Sequence, residues 1–266
     1  MAKYILGFIG CGNMGGALVR ACSKTVGGEK IAVCDYDNKK AEKFANELGV
    51  TALTASELVK ESKFVVLGVK PQNMQETISP ISGELAKHKD VVLITMAAGL
   101  SISAIQAFAK ATIPTIRIMP NTPAALGEGM ILYALSGVSE ADEKTFLECF
   151  AKAGKIDKIP EDKIDAASAL SGCGPAFVYA FAEALADGAV ECGVPRDKAA
   201  LYAAQTLKGA AEMLLEFGHP ADLKDAVCSP GGTTIAGVHA LENGGFRGIT
   251  MDAVMAAYKR TLELKK

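Results

Sequence analysis

The strongest constraint on this chain is a set of glycines placed directly after a short apolar segment. Tyr4-Ile-Leu-Gly-Phe-Ile9 reads as a buried strand, rich in aliphatics and stopped by glycine. Gly10, Gly12 and Gly15 follow in G-x-G-x-x-G spacing, and Ala17, Leu18 and Val19 begin a helix with no proline in the way. In a strand–turn–helix of this kind, Gly10 makes the tight turn out of the strand. Gly12 leaves room for a pyrophosphate against the backbone, and Gly15 lets helix and strand pack closely. The helix start adds unpaired N–H groups and the positive end of its dipole.

By themselves three glycines describe a common turn. A second apolar segment, Lys30-Ile-Ala-Val-Cys-Asp35, ends in an acid twenty residues after Gly15. A carboxylate at that place meets the ribose hydroxyls of an adenosine. Strand, glycine turn, helix and acid together predict a dinucleotide site. The same carboxylate repels a 2′-phosphate, with Lys39 and Lys40 partly offsetting it, so NADH is expected to serve at least as well as NADPH.

Composition narrows the function. The 28 Lys and Arg against 30 Asp and Glu give a formal net charge of -2, with no basic footprint for nucleic acid. The N-terminal apolar segment is broken by Gly7 and Gly10 and lacks the plan of a signal peptide, and no later run reads as long and apolar enough for a bilayer. A cytoplasmic protein without a membrane partner is the expectation. Seven scattered cysteines with no C-x-x-C pair point to reduced thiols, and three well-separated histidines offer no local metal-ligand spacing, so no metal is expected.

Downstream, apolar strands alternate with helical stretches. Strands are expected at 64–69, 91–97, 113–119, 129–135 and 155–159. Helices are expected at 38–48, 54–59, 73–87 with a break near Pro80, 101–109 and 140–153. That alternation predicts a Rossmann-type, mostly parallel sheet with helices on both faces. Strand ends in such a sheet border the ligand crevice. Lys70, just past 64–69, is therefore a candidate contact, and the small Ala97, Ala98 and Gly99 would let a flat ring lie against the backbone.

Beyond residue 160 the pattern is helical, with stretches at 161–170, 175–192, 196–217, 220–227, 233–242 and 249–266. The expected class is α/β: a dinucleotide domain over 1–160, then an all-helical domain over 161–266. The 175–192 helix carries Phe177, Val178, Phe181 and Leu185 among alanines and is apolar on most sides. A small domain cannot bury such a helix alone; intertwining with a second copy would.

Two loops in the helical half carry unusual chemistry, Leu170-Ser-Gly-Cys-Gly-Pro-Ala176 and Val227-Cys-Ser-Pro-Gly-Gly-Thr-Thr-Ile235. The second opens directly into a helix with hydroxyls around its start. That arrangement suits a ligand carboxylate, although an ordinary Ser/Thr cap looks the same.

The chain resembles pyrroline-5-carboxylate reductase, the last enzyme of proline synthesis. The segments that carry the resemblance are Gly7-Phe-Ile-Gly-Cys-Gly-Asn-Met-Gly15, Val69-Lys-Pro71, Ala97-Ala-Gly99, Met119-Pro-Asn-Thr-Pro123, the two loops above, Asp187-Gly188 and Leu241-Glu-Asn-Gly-Gly-Phe-Arg247. They run in family order through nearly the whole chain, and Ser-Pro-Gly-Gly-Thr-Thr is far more specific than the glycine triplet. The resemblance implies NADPH or NADH as cofactor and an interlocking homodimer, which in relatives often assembles into a decamer. It implies that Ile9, Gly10, Cys11, Gly12, Asn13 and Met14 cradle the pyrophosphate, and that Val69, Lys70, Pro71, Ala97 and Ala98 lie along the cofactor. Glu161 would stand near the substrate pocket. Ser229, Gly231, Gly232, Thr233 and Thr234 would hold the substrate carboxylate and ring nitrogen, with Thr234 as the hydroxyl on that nitrogen. Ala226 is a departure, since relatives carry an amide side chain there that can reach the cofactor.

Pyrroline-5-carboxylate is a cyclic imine whose C5 accepts hydride once the nitrogen is protonated. The cofactor carries the hard step, so the protein needs to orient two rings and bind a carboxylate. Two other readings stand beside this one. A β-hydroxyacid-dehydrogenase-like oxidoreductase also pairs a Rossmann domain with a helical one, but Lys208 lacks the G-x-x-x-K-like context of its acid/base lysine. A non-catalytic nucleotide-sensing protein could retain the same fold.

Overall fold

The apolar runs become strands of a single sheet. The computed structural model describes residues 2–264. In it the first half runs β1 (Tyr4–Ile9), α1 (Asn13–Val26), β2 (Ile31–Cys34), α2 (Asn38–Leu48), β3 (Thr51–Ala52), α3 (Ala55–Glu61), β4 (Ser62–Leu67), α4 (Met74–Ile78), α5 (Ser82–Lys87), β5 (Val92–Thr95), α6 (Ile102–Ala109), β6 (Thr115–Met119), β7 (Gly129–Ser136), α7 (Glu140–Phe150) and β8 (Gly154–Lys158). The eight strands lie in the order β3-β2-β1-β4-β5-β6-β7-β8. The order reverses between β1 and β4, a topological switch point of the kind that binds ligands beyond the strands' carboxyl ends.

Every neighbouring pair is parallel except β6 and β7. The link between those two, residues 120–128 with a 3-10 turn at Thr122–Leu126, is shorter than the dozen or so residues a crossover takes, so β7 returns antiparallel. Along β4, Phe64 and Val66 pack into one core with Phe8, Leu18 and Phe146, while Val65 and Leu67 face a second core with Leu58, Met74 and Ile105. A sheet covered on both faces makes its strands continuously apolar, which is why these runs do not alternate.

Local signals fix the helix ends. Asp37 accepts the Lys39 N–H at the start of α2, and Gly49 closes that helix at φ 68°. Thr54 and Glu57 form the expected capping box. The expected break near Pro80 is a 3-10 turn at Ser79–Ile81 between α4 and α5. Helix α1 starts four residues earlier than Ala17, because Gly15 and Gly16 are buried in close packing that overrides their low helix propensity.

The helical half holds α8 (Glu161–Ser171), α9 (Gly174–Glu191), α10 (Arg196–Phe217), α11 (Pro220–Ala226), α12 (Thr233–Asn243) and α13 (Phe246–Glu263); the expected end of the last helix at 266 lies outside the described residues. The chain divides into two compact units, Met1–Cys173 with Ala257–Lys266, and Gly174–Ala256. The boundary between these compact units falls after α8, because α8 packs on the sheet. Ile164 joins Met119, Leu132 and Ala134 in a small core, and Asp165 pairs with Arg117 of β6.

Within the second unit the buried hydrophobic cluster is three alanines, Ala186, Ala199 and Ala203. Large apolar side chains such as Tyr179, Leu201, Leu215 and Phe217 are exposed. One sequence-based expectation needs correction here. The helical run Glu161–Glu191 is long and apolar enough to cross a membrane by length and composition. It escapes notice in the sequence because α8 and α9, read separately, join across Gly172 and Cys173.

Candidate active site

The glycine turn is a cradle with one oxygen-lined wall and one open side. Gly10 has φ +98°, and a Cβ on it would meet the Gly68 carbonyl carbon at 2.8 Å, so β1 and β4 converge too closely for a side chain. Gly12, by contrast, faces open space: an added Cβ would find no atom within 4 Å. It is the N-cap of α1, and no side chain caps that helix start. The N–H groups of Asn13, Met14 and Gly15 therefore have no helical acceptor, which suits an anion. A nucleotide pyrophosphate fits such a place.

Asp35 holds the other side of the turn. Its Oδ2 accepts the Cys11 N–H at 2.7 Å and its Oδ1 accepts the Asp37 N–H at 3.0 Å. Both oxygens are thus engaged by backbone, and each keeps lone-pair capacity for a ribose hydroxyl. Burial, with the Asp35 charge as the second cause, pushes the Cys11 thiol up to about 12. It is a neutral side chain at pH 7, whose role is packing.

A cavity of about 510 Å³ opens beside the turn, lined by Gly12, Asn13, Met14, Val69, Lys70 and Met119 among others. It brings together five of the expected cofactor residues, from two stretches that lie far apart in sequence. Pro71 and Ala98 line a neighbouring cavity of about 410 Å³, while Ala97 is buried beneath that loop. Among the described residues, no group of three or more His, Cys, Asp and Glu side chains is placed to hold a metal.

Glu161 opens α8, in the first unit. Its Oε1 accepts the Ile102 N–H at 2.7 Å and stands 3.5 Å from Nη1 of Arg117. The remaining expected residues belong to the second unit. Gly231 has φ +68°, the Gly232 N–H donates to the Ser229 carbonyl at 3.0 Å, and Gly232 becomes the N-cap of α12 without a side-chain bond. Thr233 and Thr234 are the first residues of that helix, both exposed. An uncapped helix start flanked by hydroxyls can take a carboxylate.

Several residues of the site were not singled out from sequence. Gly68 is needed beside Gly10, since its Cβ would lie 2.5 Å from the Gly10 oxygen, and its signal was a glycine at a strand's end. Arg117 inside an apolar strand was also legible as an anomaly. Asn121 donates to the Ser171 carbonyl and accepts the Met130 N–H, both at 2.9 Å, which fixes the loop carrying Met119 and Pro120 against the cavity.

Comparison with known proteins assigns this architecture. Residues 161–264 match the family model for pyrroline-5-carboxylate reductase dimerisation, and residues 5–99 match that of NADP oxidoreductase, coenzyme F420-dependent. A pyrroline-5-carboxylate reductase of Glycine max is 44% identical over 98% of this chain and 96% of its own length. One from Methanosarcina acetivorans is 39% identical over 100% of both chains. The crystal structure of Plasmodium falciparum pyrroline carboxylate reductase with NADP bound superimposes with a TM-score of 0.88 at 31% identity, covering 100% of each chain. With relatives of 39–44% identity matched over almost their whole length, the chain belongs to the pyrroline-5-carboxylate reductase family.

Proposed function

We infer that this chain reduces pyrroline-5-carboxylate to proline with NAD(P)H, the last step of proline synthesis. The observation that carries this reading is the presence of two uncapped helix starts, at Gly12 and at Gly232, one suited to a pyrophosphate and the other to a carboxylate. When bound, the dinucleotide supplies the hydride. The residues of this chain supply the rest. Gly10, Gly12, Asn13 and Met14 seat the phosphates, and Val69, Lys70, Pro71, Ala97 and Ala98 line the path of the cofactor. Ser229, Gly231, Gly232 and Thr233 take the substrate carboxylate, Glu161 stands near its ring, and the Thr234 hydroxyl bonds the ring nitrogen.

Asp35 orders the preference between cofactors. Its fixed negative charge at the end of β2 repels a 2′-phosphate, while Lys39 and Lys40, exposed on the first turn of α2, offset that charge only in part. The test is oxidation of NADH and of NADPH on addition of the imine, with a β-keto acid as control. We expect turnover with the imine alone and a kcat/KM for NADH at least equal to that for NADPH. A much higher value with NADPH would show that the lysines outweigh Asp35, and no turnover with the imine would remove the functional reading itself.

The oligomer follows from the poverty of the second unit's core. Three buried alanines cannot offset the chain entropy of some eighty residues. The exposed apolar side chains of α9 and α10, such as Tyr179, Leu201, Leu215 and Phe217, are read as faces buried against a second copy. The dimer is the unit of folding, with a decamer of five such dimers as the further assembly. Seven free cysteines suit a reducing compartment, hence the cytoplasm. Sedimentation at micromolar concentration should show a dimer or a multiple of it; a stable, active monomer would contradict this.

A further inference from the structure

The charge arrangement behind Glu161 is unusual for a position inside a sheet. Arg117 is 2% exposed in the middle of β6, between the buried Ile116 and Ile118. A guanidinium so placed is tolerated only when paired. Its Nη2 donates to Asp165 Oδ1 at 2.7 Å, its Nη1 approaches Glu161 Oε1 at 3.5 Å, and its Nε is buried without a partner. Asp165 is itself buried, whereas the Glu161 side chain is 34% exposed. One oxygen of Glu161 is therefore held from two sides, by Arg117 and by the Ile102 N–H. The other, Oε2, makes no hydrogen bond among the described residues.

Charge counting gives this geometry a purpose. One guanidinium between two carboxylates leaves a single formal negative charge. The closer partner of Arg117 is Asp165, so the uncompensated charge sits on the exposed member, Glu161. A cyclic imine becomes a hydride acceptor when its nitrogen carries a proton, and a carboxylate beside it stabilises that cation. Glu161 also fastens the first residue of α6, directly after the 97–101 loop that holds Ala97 and Ala98.

We propose that Arg117 is a positioning residue of the reaction: it holds the Glu161 carboxylate by one oxygen, with Asp165 neutralising the guanidinium, so that the other oxygen keeps its charge for the protonated ring nitrogen of the imine. This rests on the reading of the chain as an imine reductase in which Glu161 meets the substrate.

The test compares Arg117→Lys, Asp165→Asn and Glu161→Gln in the full-length enzyme, by KM and kcat for the imine, Kd for NADH and Tm. Glu161→Gln should raise the imine KM about tenfold, the size of one lost charge-assisted contact. Asp165→Asn leaves Arg117 to neutralise Glu161 and should raise the same KM severalfold. Arg117→Lys cannot fork to both carboxylates and should do likewise. NADH affinity should stay near wild type in all three. A merely structural bolt would instead lower Tm and impair both ligands together, and that result would overturn the proposal. So would a normal imine KM in Asp165→Asn when Glu161→Gln is defective. Normal imine kinetics in Glu161→Gln would remove Glu161 from the substrate site and the proposal with it, while wild-type turnover with the imine would leave the reductase reading standing.

Discussion

Replacing Thr234 by valine is expected to lower kcat/KM for the imine by about ten- to a hundredfold, the consequence of leaving a buried polar partner unpaired at a cost of roughly 1–3 kcal/mol. Thr234 is the second residue of α12, and its hydroxyl makes no hydrogen bond among the described residues, so it is free for a ligand. Valine keeps the branched shape and the helix position. Serine keeps the hydroxyl and loses one methyl, so Thr234→Ser should be much milder. NADH affinity should be unaffected, because the glycine turn is in the other unit and is untouched. A valine variant with normal kcat/KM, or one that loses NADH affinity instead, would move the nitrogen contact elsewhere, with Thr233 next to examine. Equal inactivity of both variants would mean that Thr234 acts through packing.

The sequence displayed features decided by near neighbours far better than those decided by distant ones. Signals local in the chain survived intact: the capping box at Thr54 and Glu57, the stop at Gly49, the 3-10 break at Pro80 and the glycine turn itself. Each is decided within a few residues by backbone geometry. What stayed hidden depends on partners distant in sequence. The edge strand β3 is two residues long and exists only because Ala32 and Val33 offer it a ladder. The antiparallel direction of β7 follows from the length of a connection. The assignment of α8 to the sheet unit rests on Arg117, whose partners Glu161 and Asp165 lie more than forty residues away. Asp35 was legible as an acid at a strand end, but its bond to the Cys11 N–H, tying the acid back to the turn it serves, was not. The exposed apolar helix α9, in contrast, could be read as a subunit face because nothing in one small unit could cover it.

The glycine turn allows a sharper separation of folding from binding, because two of its glycines are present for opposite reasons. A Cβ at Gly15 would lie 2.1 Å from the Gly10 oxygen, a backbone atom that cannot move without displacing β1. Gly15→Ala should therefore destabilise the fold, by at least the roughly 1–3 kcal/mol of ordinary overpacking. That corresponds to a fall in Tm of roughly 2–12 °C for a domain of this size. Gly12 has φ -67° and ψ -166°, a conformation alanine adopts readily, and its Cβ would meet nothing within 4 Å. Gly12→Ala should hold the wild-type Tm or rise slightly, since alanine lowers the entropy of the unfolded chain. Its methyl group would stand where a pyrophosphate must approach the N–H groups of α1. Losing charge-assisted bonds there should weaken NADH binding by about a hundredfold. The pair is measured by thermal unfolding without nucleotide and by titration with NADH. If Gly12→Ala bound NADH normally, the pyrophosphate would not cross this turn. If it unfolded as easily as Gly15→Ala, the open side of the cradle would be closed in solution by part of the chain itself.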